Sequence, residues 1–226
     1  MANMTDLNVD IPEKEFSDIE VLCSAANLEI TVSDDDTAHI IARNIPEGSY
    51  AAAENGKLTV EIKRPAITEM IITNPFRSRS CRLSLPAKVY DTLLIKTGVG
   101  NGIINGIQCS SAEIYSGSGN ISIDSTAAFK ELRIESGTGN LSIDKLQCGR
   151  LSVKSGTGNV SVRSSISGGL DIKGGTGNIT YEGSVNGDID IKGGIGNTDL
   201  ALNSECRDKH KVNASHGIGK INIRYI

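Results

Sequence analysis

A short phrase of glycine and asparagine carries the first chemical suggestion in the sequence. Gly-x-Gly-Asn begins at Gly98, Gly117, Gly137, Gly156, Gly175 and Gly194, with intervals of 19, 20, 19, 19 and 19 residues. A seventh copy, Gly217-Ile218-Gly219-Lys220, follows after 23 and carries Lys in place of Asn. A phosphate-cradling loop needs a strand before it and a helix after it. Here an alternating, strand-like segment follows every copy, which sets a nucleotide loop aside. A calcium-binding roll repeats about every nine residues and supplies aspartates in register. This repeat is twice as long and has no run of Asp in its columns. Asn120, Asn140, Asn159 and Asn178 also match Asn-x-Ser/Thr, but glycans stacked at one-coil spacing would collide. The remaining reading is structural. Glycine permits positive φ at a tight corner, Asn tolerates that region best among other residues, and Asn101, Asn120, Asn140, Asn159, Asn178 and Asn197 form a stacked amide ladder.

Charged side chains fall into columns of the same period. One outward column holds Lys96, Tyr115, Glu135, Lys154, Lys173 and Lys192; its neighbour two residues back holds Glu113, Arg133, Ser152, Asp171 and Asp190. The lysine ridge of Lys154, Lys173 and Lys192 is the candidate ligand surface, suited to an acidic polymer such as an anionic polysaccharide. Asp171 and Asp190 beside it describe an ordinary solvated face equally well. Asp124 and Asp144 occupy one column in successive coils, followed by Arg163 and Glu182. Paired carboxylates are the equipment of glycoside cleavage, yet an Arg beside them also marks plain strand-end acids. His39, His210 and His216 lie in divergent segments with no partner for a nucleophile. The low aromatic content weakens a sugar-stacking platform, to which Tyr115 and Tyr181 could contribute singly. The sequence therefore names no catalytic residue, no metal ligand and no cofactor.

Positioning these columns requires strands. Strict apolar/polar alternation flanks each phrase, as in Leu132-Arg133-Ile134-Glu135 before one and Leu141-Ser142-Ile143-Asp144 after it, and period 2 means one buried face. The apolar columns read Leu93, Ala112, Leu132, Leu151, Leu170, Ile189 and Ile95, Ile114, Ile134, Val153, Ile172, Ile191. After the corner come Ile121, Leu141, Val160, Ile179 and then Ile123, Ile143, Val162, Tyr181. A looser apolar position follows at Ile107, Leu146, Ile166 and Val185. The expectation is an all-β, single-chain, right-handed β-solenoid with 19–20-residue coils, two firm strands and a weak third wall per coil. Residues 91–226 form the regular coils and residues 1–90 the divergent N-terminal coils and cap, all in one domain.

The N-terminal part reads as a worn version of the repeat. Ile19 to Ile30 aligns without gaps to Leu132 through Ile143, with Ser24 and Ala26 in the glycine places. Gly56 to Val60 resembles Gly219 to Ile223, and Ala38–Ala42 and Cys81–Leu85 read as strands. Arg64 to Ser80 reads as a long loop or lateral excursion, its course undefined. One short helical turn is expected near Ser125 to Lys130, where a coil has its extra residue.

Composition bounds the function. The 226 residues carry 23 Lys+Arg against 27 Asp+Glu, a net charge of −4, which argues against binding nucleic acid through its phosphates. No apolar run is long enough for a membrane-spanning helix, so no membrane insertion is expected. Cys23, Cys81, Cys109, Cys148 and Cys206 are odd in number and widely spaced, unlike a disulfide framework or a zinc site. Five unpaired thiols, and an N-terminus without a basic cluster and apolar stretch, favour the cytoplasm, with the cell surface or secretion as the alternative.

The recurring Ser-Gly-Thr-Gly-Asn-hydrophobic-x-Ile phrase and the lead-in Leu83-Ser84-Leu85-Pro86 resemble a bacterial family of repeat domains. These are named only as candidate adhesins, a domain-of-unknown-function group akin to the head GIN domain. The likeness spans nearly the whole chain. It implies a repeat fold and surface attachment, and it brings no catalytic residues. The functional expectation is a non-catalytic interaction or scaffold protein of adhesin-like type, with an unidentified protein or polysaccharide partner and weak oligomer formation through the solenoid ends. The alternative is a β-solenoid binder or enzyme acting on acidic polysaccharide.

Overall fold

The computed structural model describes residues 4–65, 78–124, 127–206 and 209–226. Among these residues there is no α-helix; two short 3-10 turns, Glu13–Glu15 and Ser204–Cys206, are the only helical pieces. Two long walls of stacked strands meet at the Gly-x-Gly corner. The first wall runs, in spatial order, β5 (Tyr50–Glu54), β6 (Gly56–Ile62), β2 (Phe16–Ala25), β8 (Val89–Val99), β10 (Gln108–Ser118) and β12 (Ala128–Thr138). It continues through the later part of β13 (Leu141–Thr157), β15 (Leu170–Thr176), β17 (Ile189–Ile195) and β19 (Val212–Ile218).

The second wall runs β1 (Met4–Pro12), β4 (Thr37–Pro46), β7 (Ser80–Leu85), β3 (Asn27–Val32), β9 (Gly102–Asn105) and β11 (Ile121–Asp124). The early part of β13 follows, then β14 (Val160–Ile166), β16 (Ile179–Val185), β18 (Thr198–Leu202) and β20 (Ile221–Tyr225). Every pairing is parallel except those of β1, β4 and β5 at the N-terminal end.

The registers place like residue on like. Leu58, Ile19, Leu93, Ala112, Leu132, Leu151, Leu170 and Ile189 follow one another down the first wall, none more than 2% exposed. Ile30, Ile104, Ile123, Ile143, Val162 and Tyr181 do the same on the second. A regular coil, such as that of Leu132, Ile134, Leu141 and Ile143, thus buries four aliphatic side chains, each worth about 1.5–3 kcal/mol, only because the next coil covers them.

The corner is where the backbone comes closest to itself. The second glycine of each phrase has positive φ, 137° at Gly158, and a Cβ built there would lie 2.0 Å from the carbonyl oxygen of Gly139 in the coil beneath. The first glycine has ordinary φ but equally little room: a Cβ on Gly156 would lie 2.4 Å from Gly137 O. None of the phrase's asparagines has positive φ, contrary to expectation; Asn is there for its hydrogen bond.

Spatial order departs from chain order at the N-terminal end. The coil of β2 and β3 lies between the coil of β6 and β7 and the coil of β8 and β9. Gly56 to Val60 belongs to the first wall, so its likeness to Gly219–Ile223, which enters the second, does not reflect equivalent places. Asn55 and Gly56 have φ of 52° and 80° and turn the β5–β6 hairpin; positive φ at both centres is what an Asn-Gly hairpin turn supplies. The loose third position also resolves differently. A bulge at Lys145, φ 56°, sets Leu146 opposite Ser164 and Cys148 opposite Ile166. Ile107, Leu146, Ile166 and Val185 therefore stand in two columns, one of them Tyr90, Cys109, Phe129, Cys148, Ile166, Val185. Ala128 to Lys130, expected in a helical turn, opens β12; Ser125 and Thr126 lie outside the described residues, as does most of Arg64–Ser80.

At the N-terminal end, His39 on β4 is held between two carboxylates. Its Nδ1 lies 2.7 Å from Asp10 Oδ1 and its Nε2 3.1 Å from Asp35 Oδ1. The Asp10 contact, more than that of Asp35, raises the imidazole above its ordinary value. A raised folded-state value stabilises the charged form, so this contribution is complete below about pH 6.5 and is lost as pH rises through the folded-state value.

Two outcomes follow from this packing. Gly158→Val should lower stability by more than about 4 kcal/mol, since it combines φ strain with backbone overlap, whereas Thr157→Val, exposed on the same corner, should melt within about 0.5 kcal/mol of the parent. In an NMR titration His39 should ionise above the ordinary histidine range and fall toward it in Asp10→Asn; His39→Asn should lower the melting temperature in mild acid and leave it unchanged in alkali.

Candidate functional site

The asparagine column is a chain of hydrogen bonds running the length of the solenoid. Each Asn Oδ1 accepts from the backbone N–H of the equivalent residue in the next coil: Asn101 to Asn120 at 3.0 Å, Asn120 to Asn140, Asn140 to Asn159 and Asn159 to Asn178 at 2.9 Å, and Asn178 to Asn197 at 2.8 Å. Lys220 N–H ends the chain on Asn197 Oδ1 at 3.1 Å. The first rung is Asn27, whose Oδ1 accepts from Asn101 N–H at 3.0 Å. It could have been found by aligning Ile19–Ile30 with the repeat. Ser24 and Ala26 replace the glycines of that coil because β6, the strand beneath, stops pairing at Ile62 and leaves room for a Cβ. The next residue's N–H bonds to the following coil's Asn carbonyl, as Leu141 to Asn159 at 2.9 Å, so the corner's amides are satisfied between coils.

Lys154, Lys173 and Lys192 stack on the outer face of the first wall, their side chains 47–61% exposed. Each has an acid: Lys154 Nζ lies 3.6 Å from Glu135, Lys173 3.2 Å from Asp171 and Lys192 3.0 Å from Asp190. Glu135 is also paired with Arg133, which holds its carboxyl below the usual range. Lys96, Tyr115, Glu135 and Lys154 line an open groove of about 690 Å³ beside the glycines of the corner. Lys96 Nζ stands 6.0 Å from the Tyr115 ring, and Tyr115 donates to Glu113 Oε2 at 2.8 Å, which raises the phenol above its ordinary value.

The carboxylate column takes a different form. Arg163 bridges Asp144, at 3.4 Å, and Glu182, at 3.7 Å; the two acids face the guanidinium and not each other. Tyr181 is fully buried and donates to Ser184 O at 3.0 Å, so it belongs to the core and to no sugar platform. All five cysteines are free and buried, and desolvation pushes Cys23, Cys109 and Cys148 up to about 11, far from the range of a nucleophilic thiolate. Among the described residues no group of three or more His, Cys, Asp or Glu is placed to hold a metal ion.

Two further features were not anticipated, the first although Thr or Ser precedes each of the first four phrases. Thr97, Ser116, Ser136 and Ser155 stack as a buried hydroxyl column just inside the corner. Lys88 reaches under the N-terminal end, donates to the carbonyls of Glu13 and Phe16 at 2.6 Å each, and lies 4.8 Å from the Phe16 ring.

The ladder makes a specific demand on residue 159. Asn159→Ala should cost about 1 kcal/mol by orphaning the Asn178 N–H, while Asn159→Asp, which keeps the accepting oxygen, should retain most of it; thermal melts of the two variants against the parent measure the difference.

The fold resembles the solved structure of a candidate adhesin from Bacteroides fragilis, with a TM-score of 0.54 and 15% identity over 99% of each chain. It also resembles a candidate adhesin from Parabacteroides distasonis, with a TM-score of 0.51 and 12% identity over 99% of this chain and 98% of that one. No curated protein matches the chain in sequence. No helix among the described residues is long and apolar enough to cross a membrane. The Toastrack DUF4097 family model matches residues 16–225, and the chain belongs to that family.

Proposed function

We propose that the protein is a non-catalytic, adhesin-like interaction module that presents the outer face of its first wall to a partner. The observation that carries this reading is the distribution of charge. On the first wall Arg133, Lys154, Lys173 and Lys192 alternate with carboxylates along an open ridge, and on the second Arg163 occupies both neighbouring acids. Such a surface suits many weak, exchangeable contacts along one extended partner better than the strong perturbation of a single reacting bond. The solved structures of similar fold are named as candidate adhesins, which supports attachment at a surface. Five buried unpaired thiols favour a reducing compartment instead, and fractionation of the native host decides between the two.

An acidic polysaccharide is the partner chemistry favoured by the ridge. The ion pairs of Lys173 and Lys192 lie within single strands and are exposed, each worth about 0–1 kcal/mol, so a polyanion can compete for the ammonium groups. The test is binding of the chain to immobilised alginate and hyaluronan, with dextran as the neutral control and reducing-end release as the assay for cleavage. The expected result is salt-sensitive binding to the acidic polymers without cleavage, lost when Lys154, Lys173 and Lys192 are all changed to Ser while the melting temperature is kept. Cleavage of either polymer would overturn the non-catalytic reading, and binding that survives the triple change would remove the ridge as the site.

A further inference from the structure

The two ends of the solenoid differ in covering and in charge. At the C-terminal end, among the described residues, β19 pairs only with β17 and β20 only with β18, and the other edge of each is unpaired. The residues that are core one coil earlier are open here: Thr198, Leu200 and Leu202 are at most 1% exposed, whereas their stacked successors Ile221, Ile223 and Tyr225 are 37–40% exposed. At the N-terminal end, again among the described residues, β5 pairs only with β6 and β1 only with β4, which leaves two more unpaired edges, with Leu7, Val9, Ala51 and Ala53 half-buried beneath them.

Charge separates along the same axis. Residues 1–65 hold 13 acidic and 5 basic side chains, net −8, while residues 66–226 hold 14 and 18, net +4. The N-terminal end displays Asp34, Asp36, Glu47 and Glu54 as exposed acids; Lys209, Lys211, Lys220 and Arg224 are the exposed bases of the C-terminal end.

We infer that the occupant of the open C-terminal end is the N-terminal end of a second copy of this chain. Stacked head to tail, the two molecules continue the second wall: β20 meets β1 of the next copy, parallel because β1 and β7 both oppose β4. Among the described residues the first wall has two strands beyond the β2–β3 coil, β6 and β5, and the second has three, β7, β4 and β1, so β5 stops one strand short and faces β19 across one strand spacing. The contact covers Ile221, Ile223 and Tyr225 and brings the basic end onto the acidic one. A two-fold contact between two C-terminal ends would cover the same apolar residues but set Lys220 and Arg224 near their own copies. A head-to-tail contact is heterologous and does not close, so it propagates as an open series along the solenoid axis.

The test is sedimentation velocity of the 226-residue chain over a range of protein concentrations. The expected result is an open-ended series of species. Raising salt from about 0.01 M to about 1 M, which shortens the Debye length from about 30 Å to about 3 Å, should weaken the association by about tenfold or more. Lys220→Glu with Arg224→Glu makes both ends acidic, and Glu47→Lys with Glu54→Lys makes both ends more nearly basic; each double variant alone should stay monomeric. Their equimolar mixture should associate again, because every junction in an alternating chain pairs unlike ends. All four positions are exposed, and unchanged melting curves confirm folding. Ile223→Lys should abolish the series through the apolar contact. A parent chain that stays monomeric throughout, a series that stops at two, or a mixture of the charge variants that does not associate would overturn the inference.

Discussion

Coils of this solenoid rest on one another backbone to backbone along the whole Gly-x-Gly corner, and a shorter stack of Gly149, Gly168 and Gly187 makes the same contact on the far side of three coils. A Cβ on each second glycine would lie 1.8–2.2 Å from a carbonyl oxygen of the coil beneath, from Gly100 on Ala26 to Gly219 on Gly196. No side chain mediates that contact, so nothing there can adjust to a coil of different length or path. The asparagine hydrogen bonds fix the same point laterally, tying each coil's side chain to the next coil's backbone. With the corner pinned, the strands on either side are held in register, and a one-residue slip would turn every inward aliphatic outward.

Variation is consequently displaced to the opposite side of the coil. The bulge at Lys145, with its positive φ, lies there. So does the extended connection between β18 and β19 that lengthens the last interval, including the 3-10 turn Ser204–Cys206. Three buried aromatic residues lie on that side as well: Phe129 and the stacked pair Phe16–Tyr90 fill space that differs from coil to coil. The outer faces of the two walls carry no such constraint, which leaves their charged columns open to serve recognition.

Much of this was legible in the sequence because the constraint repeats. The interval between glycines, the two inward columns on each wall and the asparagine rungs all follow from period 2 and period 19. What was not legible depends on context that the repeat does not contain. The insertion of the β2–β3 coil between two later ones is a tertiary choice, since Ile19–Ile30 matches any coil equally well. Asn55-Gly56 is a local hairpin signal that a search for repeats passes over. The third wall was misaligned because one residue in positive φ, Lys145, shifts the register without any glycine to announce it. Tyr181 fits an apolar column by position and a sugar platform by chemistry; only the structure shows its hydroxyl satisfied inside, on Ser164 and Ser184.

Amide hydrogen exchange at the corner tests the central claim most directly. The backbone N–H groups of Asn120, Asn140, Asn159 and Asn178 lie on an exposed turn, where unbonded amides would exchange at loop rates. Bonded to the preceding coil's Oδ1, and locked by glycines in contact across coils, they should exchange only with the opening of whole coils, with protection matching that of Ile134 and Val153 inside the first wall. Exchange of these asparagine amides orders of magnitude faster than those strand amides would show that the corner opens independently, and the backbone contact would then not be what holds the stack together.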